Sequence, residues 1–381
     1  MQLTKYKLGD LIVQRREKNN NYDVPIRGVS KDGFIRAKQQ EADTSIYNVF
    51  YKYDFVFNPA RMELNSIALN LEYEKALCSS LYEVFYVKDE NIVLPEFLNL
   101  HIKRDEFARH CDYIGLGSAR EYCRFANISE FDIELPPIEV QQEIVEADRQ
   151  IKRRIHLNNQ VIQHLEATAQ ALYRKTFVDN IDKENLPEGW RMGTIGKILK
   201  KYIRGPFGSA LKKEDMQTSG FPVYEQQHVI DEHRNFRYYV SISKYEQLKR
   251  FSVQRNDLVI SCSGTIGRII QIRDNDPIGI INQALLILRV DEQKFSPTIL
   301  RHFLLSKNGH KMLLEDAHGS AQVNIAKRDV IESIPIIVPD LEVIKYSDGE
   351  FNTIDHCIEL RKQENKKLIE LQSLLLAKMG Q

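Results

Sequence analysis

Length, composition and charge exclude several classes of protein. The 381 residues are more than a single hydrophobic core ordinarily stabilises, which predicts two or three domains. The 53 Lys and Arg residues balance 53 Asp and Glu residues, so a polyanion could be bound only by local basic patches. The five cysteines form no C-x-x-C pair, which argues against a disulfide framework and a cysteine-rich zinc site and favours a cytoplasmic protein. No apolar stretch approaches the ~20 residues of a membrane helix, which argues against a membrane partner.

One internal repeat organises the sequence. The segment IELPPIEV at 133–140 returns as IIVPDLEV at 336–343, an offset of 203 residues. At the same offset, YDFVFNPARMELNSIAL at 53–69 corresponds to NDLVISCSGTIGRIIQI at 256–272. The chain therefore consists of two related halves.

The predicted elements alternate twice between a compact module and a long helix, which gives an α+β fold. Short β-like runs such as DFVFN and ALLILRV, separated by turn residues and short helical patches, predict mixed α/β modules. Apolar residues at seven-residue intervals, following a proline, predict a long helix after each module. In chain order we predict a first mixed α/β module at 1–137, a first long helix at 138–178, a linker at 179–189, a second module at 190–339 and a second long helix at 340–381.

The two long helices are predicted to pair with each other. A single helix of this length is not stable alone in water, and each one offers an apolar stripe, so we expect an antiparallel intramolecular coiled coil. Pairing about an axis near the helix centres relates the two modules by a pseudo-two-fold and sets Asn158 opposite Asn365, with Ile162 facing Arg361. The alternative is that each helix packs only on its own module.

The stretch SCSGTIG at 261–267 raises the alternative of an enzyme. A strand that ends in Ser-Cys-Ser-Gly could present Cys262 or Ser263 as the nucleophile of a hydrolase, but a nucleophile needs a positioned base and an oxyanion site. The equivalent position of the first half reads NPAR at 58–61, and no acyl-transfer motif stands in either half. The stretch therefore predicts a structural turn, and no residue is predicted to be catalytic.

The order of the motifs resembles that of a known family. ELPPIEVQQEI (134–144) precedes the first helix, LPEGW (186–190) joins the halves, and the second module carries GPFGSALKKED (205–215) and SGTIG (263–267). In this order, and with this duplication, the whole chain resembles the specificity subunit of type I restriction-modification systems. The second half departs from the pattern, because VPDLEVIKYSDGEFN (338–352) lacks the Gln pair of LPPIEVQQ.

The resemblance implies a DNA-recognition subunit without catalysis, cofactor or metal. Each module would read one half of a bipartite, asymmetric site in double-stranded DNA. The paired helices would dock two methyltransferase subunits, and restriction (motor-nuclease) subunits would join for cleavage. Two related modules on an antiparallel helix pair would suit half-sites about one helical turn, ~34 Å, apart. A coiled-coil scaffold that binds protein rather than DNA is the alternative, although it does not explain why the duplicated modules have diverged.

The residues expected at DNA combine cations with glycine, amide and hydroxyl side chains. The loop at 200–213 gathers Lys and Arg around glycines and Phe207, which suits phosphates and close backbone approach, with a solvated basic turn as the alternative. Gln and His at 226–228 suit adenine and guanine edges, and the resemblance adds the turn at 263–268. The expected DNA contacts are Arg15, Arg16, Arg61 and Arg120 in the first module, and Lys201, Arg204, Phe207, Gly208, Ser209, Lys212, Lys213, Gln226, Gln227, His228, Ser263, Thr265, Arg268 and Gln322 in the second.

Overall fold

Two compact units make up the structure. The computed structural model describes residues 3–20, 22–37, 43–115, 122–179, 181–314, 325 and 327–379. The first unit comprises Met1–Asn158 and Gln363–Gln381, and the second comprises Asn159–Lys362. Each unit therefore contains one module together with part of both long helices.

The first unit is a mixture of short strands and helices. Its strands are Thr4–Lys7 (β1), Ile12–Arg15 (β2), Arg27–Ser30 (β3), Gly33–Arg36 (β4), Asn48–Tyr51 (β5), Phe55–Phe57 (β6), Ile67–Leu69 (β7), Lys75–Cys78 (β8), Glu83–Val87 (β9) and Asp132–Leu135 (β10). Its helices are Leu8–Leu11 (α1), Pro95–Ile102 (α2), Asp105–Gly115 (α3), Phe125–Ser129 (α4) and the first part of Ile138–Phe177 (α5).

The second unit has a similar order of elements. Its strands are Arg191–Thr194 (β11), Leu199–Arg204 (β12), Phe221–Tyr224 (β13), Tyr239–Val240 (β14), Leu258–Ser261 (β15), Ile269–Gln271 (β16), Ile280–Ile281 (β17), Leu285–Val290 (β18) and Pro335–Val338 (β19). Its helices are Ile195–Ile198 (α6), Gln226–Ile230 (α7), Ile242–Gln247 (α8), Pro297–Leu305 (α9), Lys307–Leu313 (α10), Arg328–Ser333 (α11) and the first part of Leu341–Lys378 (α12). Among the described helices, none is long and apolar enough to cross a lipid bilayer.

Both units are built on the same four-stranded antiparallel sheet. The strand order is β2-β9-β6-β7 in the first unit and β12-β18-β15-β16 in the second. A two-stranded pair accompanies each sheet, β1 with β10 and β11 with β19. The sequence repeat is therefore a repeat of structure, and the α+β class is confirmed.

A buried carboxylate directly precedes each of the equivalent strands β6 and β15. Asp54 accepts two hydrogen bonds from Arg15, at 2.7 and 3.1 Å, and Asp257 accepts two from Arg289, both at 2.7 Å. The backbone N–H three residues earlier donates to each carboxylate at 2.7 Å. Breaking such a buried pair by removing one partner costs roughly 3–5 kcal/mol, so these pairs fix one end of each sheet.

Different side chains hold the first turns of the two long helices. Gln141 in α5 is fully buried, and its Nε2 donates to two backbone carbonyls of the module, each at 2.9 Å. At the equivalent position α12 has Ile344, which packs in the apolar core of the second unit. Asp340 caps α12 instead, because its Oδ1 accepts the N–H groups of the two residues of the first turn at 2.8 and 2.9 Å. The second half lacks the Gln pair, and the apolar packing of Ile344 and the cap from Asp340 hold the start of α12 instead.

A buried ion-pair cluster fixes α12 to the second module. Asp355 accepts hydrogen bonds from Arg301 at 3.0 and 2.9 Å and from Arg273 at 3.0 Å, and His302 Nε2 lies 3.4 Å from its Oδ1. Burial alone would raise the pKa of Asp355, but the contact with His302 and the charges of the two arginines hold it below its ordinary value.

Within the first unit, the two long helices run antiparallel and in contact. Asp148 accepts a hydrogen bond from Gln372 at 2.6 Å, and Arg154 donates to Glu364 at 2.7 Å. Asn158, which is buried, donates from Nδ2 to Oδ1 of Asn365 at 2.9 Å. The predicted pairing of the two asparagines is confirmed, while the two-fold relation of the modules stays a prediction.

Candidate nucleic-acid interface

A cationic cleft lies at the end of the sheet in the first unit. It has a volume of about 610 Å³ and is formed by the β3–β4 hairpin, the turn after β6 and the turn before β9. Among its described lining residues are four arginines, Arg27, Arg36, Arg61 and Arg124, against a single carboxylate, Glu83. Such a surplus of guanidinium groups suits phosphate oxygens and base edges.

Contacts inside the cleft compensate its carboxylate and orient its arginines. Glu83 accepts hydrogen bonds from Gln14 Nε2 at 3.2 Å and from a backbone N–H at 2.7 Å, and lies 3.6 Å from Arg124 Nη1. Arg27 donates from Nε to the hydroxyl of Tyr73 at 2.9 Å and lies 4.8 Å from the centre of that ring. The cleft therefore has an excess of positive charge, and these contacts partly fix the orientation of its arginine side chains.

The hairpin places two like charges opposite each other. Arg27 and Arg36 are direct partners across β3 and β4. Directly opposed like charges destabilise a two-stranded ribbon, so a ribbon that carries them is suited to an anionic ligand. Nearby, Tyr122 is 46% exposed and the Arg124 guanidinium lies 5.6 Å from its ring centre. An exposed aromatic face beside a cation can stack on a base.

The arginines predicted for the first module fall in different places. Arg61 lines the cleft. Arg15 does not, because both of its hydrogen bonds go to Asp54 and its guanidinium lies between two tyrosine rings, 4.8 and 4.6 Å from their centres. Arg16 is exposed and donates from Nε to Gln14 at 2.8 Å. Arg15 is thus held as part of the sheet, which speaks against its predicted contact with DNA.

Sequence reasoning missed Arg27, Arg36 and Arg124. The first two could have been found, because RGVSKDGFIR at 27–36 reads as two short strands around an Asp-Gly turn, with an arginine at each end. Arg124 follows no comparable pattern, and only the folded chain brings it to the cleft.

In the second unit, the glycine-rich turn after β12 presents one aromatic side chain. A Cβ on Gly205 would lie 1.8 Å from the carbonyl oxygen of Asn282, so the turn packs closely on the module. Gly208 has a φ of +63°, a conformation that favours glycine. Between them Phe207 is 65% exposed, and the Arg204 guanidinium lies 5.9 Å from its ring centre. Arg204, Phe207 and Gly208 therefore lie together at this turn, and their contact with DNA stays a prediction.

Gln226 lies against the turn that follows β15. Its Nε2 donates to the carbonyl oxygen of Ser263 and lies 3.5 Å from that of Thr265. Gly264 has a φ of +62°, and a Cβ there would lie 2.9 Å from the Gln226 amide. Gln227 is exposed and bonds a neighbouring carboxylate at 3.2 Å. Two segments that are 37 residues apart thus form one surface.

His228 packs in the core, which contradicts the prediction that it reads a base. It is fully buried, and its Nδ1 accepts the N–H of Glu225 at 2.8 Å while Nε2 donates to the carbonyl of Asn235 at 3.1 Å. Its ring lies 4.5 Å from that of Phe236, and burial lowers the pKa of the imidazole. Both ring nitrogens are therefore occupied inside the fold.

Lys201 lies away from the other predicted residues of the second module. It pairs with Arg289 near one end of the sheet, whereas Arg204 pairs with Leu286 toward the other. There it lines a separate cleft of about 750 Å³ together with Arg273.

The remaining predicted cations are exposed at separate positions. Lys212 forms an ion pair with Glu214 at 3.0 Å, and Lys213 is exposed in the adjacent turn. Arg268 is exposed and borders a cavity of about 290 Å³. Outside the described residues and side chains lie Arg120, the side chain of Ser209, and Gln322.

The surroundings of Cys262 argue against its role as a nucleophile. Cys262 is fully buried, its thiol contacts the carbonyl oxygen of Ile260 at 3.4 Å, and burial raises its pKa to about 12. A thiol of this kind is protonated near neutral pH and out of reach of a substrate. The backbone carbonyl oxygen of Ser263 accepts a hydrogen bond from Gln226, and the residue is only partly exposed. The turn is therefore a structural link between two surface segments.

Comparison with known proteins matches both halves of the chain. The family model for the type I restriction modification DNA specificity domain matches residues 2–167 and 187–370. The type I restriction enzyme HindI specificity subunit of Haemophilus influenzae is 35% identical over 91 residues, 23% of this chain and 20% of that subunit, so the aligned stretch spans about a fifth of that relative.

Two solved structures share the fold. The type I restriction-modification system S subunit from M. genitalium is 14% identical, with a TM-score of 0.61 and coverage of 99% of this chain and 96% of that one. A chain from "Structural basis underlying complex assembly and conformational transition of the type I R-M system" is 19% identical, with a TM-score of 0.52 and coverage of 99% and 97%. The architecture is thus that of specificity subunits. Because the family model matches most of the chain, once in each half, this chain belongs to the type I restriction modification DNA specificity domain family.

Proposed function

We propose that this chain is the cytoplasmic DNA-recognition subunit of a type I restriction-modification complex, with no catalytic role of its own. One observation carries the proposal: the two units share one sheet order, while the ends of their strands carry different side chains. The first end is a cleft of arginines, and the second presents Phe207 and Gln226. A shared framework with different tips suits two different half-sites, and hence a bipartite, asymmetric target. The modules at 1–137 and 190–339 would each read one half.

The long helices offer a surface for protein partners. In the first unit, Leu371 and Leu374 of α12 are each more than half exposed, and their spacing of three residues places them on one face of the helix. Exposed apolar side chains grouped on one helix face mark a surface that another protein covers. We assign this surface to one of two methyltransferase subunits, with restriction subunits joining the complex for cleavage. Leu371→Glu with Leu374→Glu should abolish co-purification of methyltransferase, and an unchanged yield of complex would contradict the assignment.

Methylation mapping tests the proposal. The chain is produced with its methyltransferase partner in a host that lacks this modification, and the methylated sequence is read from the host DNA. Replacing residues 1–135 by the equivalent module of a relative should change one half-site and leave the other as it was. A change in both halves, or in neither, would show that the modules do not read separately.

The arginine cleft predicts which charges bind DNA. Arg27→Ser with Arg61→Ser should weaken binding to a duplex that carries the mapped site and reduce the slope of log Kd against log salt by about one for each lost phosphate contact. Arg109→Ser removes an exposed charge from α3 that does not line the cleft and is the matched control. Equal effects of the two changes would refute a role for the cleft.

A further inference from the structure

We infer that Phe207 inserts between stacked bases of the half-site read by the second module and opens the duplex at that step. The inference rests on the proposed DNA-recognition function. A phenylalanine that is 65% exposed contributes little to the core of its module. Apolar side chains that enter a base step unstack it and kink the duplex.

The turn holds Phe207 in place before any ligand binds. The N–H of Gly205 donates to the carbonyl of Leu285 at 3.0 Å, and Gly205 and Pro206 are both buried. The proline ring fixes its own φ, and Gly208 closes the turn in a left-handed conformation. A wedge must resist the closing of the base stack, and a turn anchored on the module directly before the aromatic residue meets this need.

The neighbour of the ring suits DNA rather than an apolar protein groove. Arg204 lies with its guanidinium 5.9 Å from the centre of the Phe207 ring. A cation beside an apolar wedge can hold the phosphate that flanks the opened step, which fixes where the wedge enters. An aromatic hot spot for a protein partner would instead be expected within a wider apolar patch.

The position of the first module that corresponds to Phe207 carries no apolar side chain. Strands β2 and β12 hold the same place in their sheets, and their registers align Val13 with Lys201 and hence Asn19 with Phe207. Asn19 is used within its own fold, since its Nδ2 donates to the carbonyl of Thr44 at 3.2 Å and its Oδ1 accepts a backbone N–H at 2.9 Å. The segment after β2 should therefore open no step of the first module's half-site.

The experiment places 2-aminopurine at one position after another through both half-sites of a synthetic duplex that carries the mapped site. The duplex is bound by the full chain in complex with its methyltransferase partner. In the wild type and in Phe207→Tyr, the fluorescence should rise at one step of the second module's half-site. In Phe207→Ser that rise should vanish, and Kd should increase by roughly 5- to 150-fold, the range of one base–aromatic stack.

Ile278→Ser is the matched control, because Ile278 is 63% exposed in the same unit but lines the cleft at the other end of the sheet. It should change neither the signal nor Kd, and all variants should melt at the wild-type temperature. A rise that persists in Phe207→Ser, or tight wild-type binding with no rise in that half-site, would overturn the inference alone. Failure of the wild-type complex to bind the mapped duplex would overturn the proposed function as well.

Discussion

Replacing Asn158 by Leu tests whether a buried polar pair sets the register of the long helices in the first unit. The Asn158 side chain is 3% exposed, and its amide donates one hydrogen bond, at 2.9 Å, to Asn365. A polar pair at such a position ordinarily fixes register and orientation while lowering stability. The variant should therefore be more stable and less well aligned.

The magnitude follows from burial and the lost bond. A buried Leu gains about 2 kcal/mol over an exposed one, and the lost amide hydrogen bond costs about 1 kcal/mol, because Asn365 is half-exposed and can turn to water. The net gain of about 1 kcal/mol should raise the Tm by roughly 2–4 °C for a unit of this size. Gln160→Leu makes the same kind of change at an exposed position and should leave the Tm unchanged.

Cysteine cross-linking measures the register. The side chains of Asp148 and Gln372 touch at 2.6 Å, so cysteines at these two positions should lie within reach of a short bifunctional thiol reagent in the native alignment. In the Asn158→Leu background the yield of this cross-link should fall, and that of a pair shifted by one turn, Asp148→Cys with Ile369→Cys, should rise. A Tm below that of the wild type, or an unchanged cross-linking pattern, would refute the reasoning.

Three other changes test the second unit and the helix pair. Cys262→Ala with Ser263→Ala should leave methyl transfer by the complex intact, and loss of turnover with DNA binding preserved would contradict the absence of a nucleophile. Asp355→Asn should lower the free energy of unfolding by ~3 kcal/mol at pH 7. Because the folded state holds the pKa of Asp355 below its ordinary value, this cost should persist above about pH 4 and fade as the pH falls further, as unfolding curves at each pH would show. Adding one heptad to both long helices lengthens each by about 10.5 Å and should widen the gap between the methylated half-sites by roughly 3 base pairs. Efficient methylation at the original spacing would show that the helices do not set the distance between the half-sites.

The repeat made much of the fold predictable from the sequence. A shared offset of 203 residues related the strands that directly follow Asp54 and Asp257, and the structure gives both the same place in their sheets. The pairing of Asn158 with Asn365 was predictable because each is a polar residue near the middle of an apolar helix seam, and an antiparallel pair can bury two such residues against each other. Periodicity and repetition are properties of the chain itself, so they survive without knowledge of tertiary contacts.

The side chains of the site were less predictable, because their direction depends on contacts that are distant in sequence. Arg15 looked like a surface cation, but its partner Asp54 lies 39 residues away. His228 sits in a segment of polar residues, yet the short helix α7 turns it inward while Gln227 points to solvent. A single helical turn places neighbouring residues on different faces, so a polar run by itself does not reveal which member faces a ligand.

The divergence of the two strand ends is itself an argument about how such a chain acquires a new target. The buried pairs of Asp54 and Asp257 are retained although their arginines come from different strands, β2 in one unit and β18 in the other. The carboxylate at the start of the strand is thus kept, while the position of the compensating charge is free to change. The turns at the opposite ends of these strands share no such buried pair. The turn after β6 carries Arg61, where the turn after β15 carries Gly264. Selection can therefore alter the residues at the tips of one module without unsettling its sheet or the other module, and an asymmetric target is the expected result.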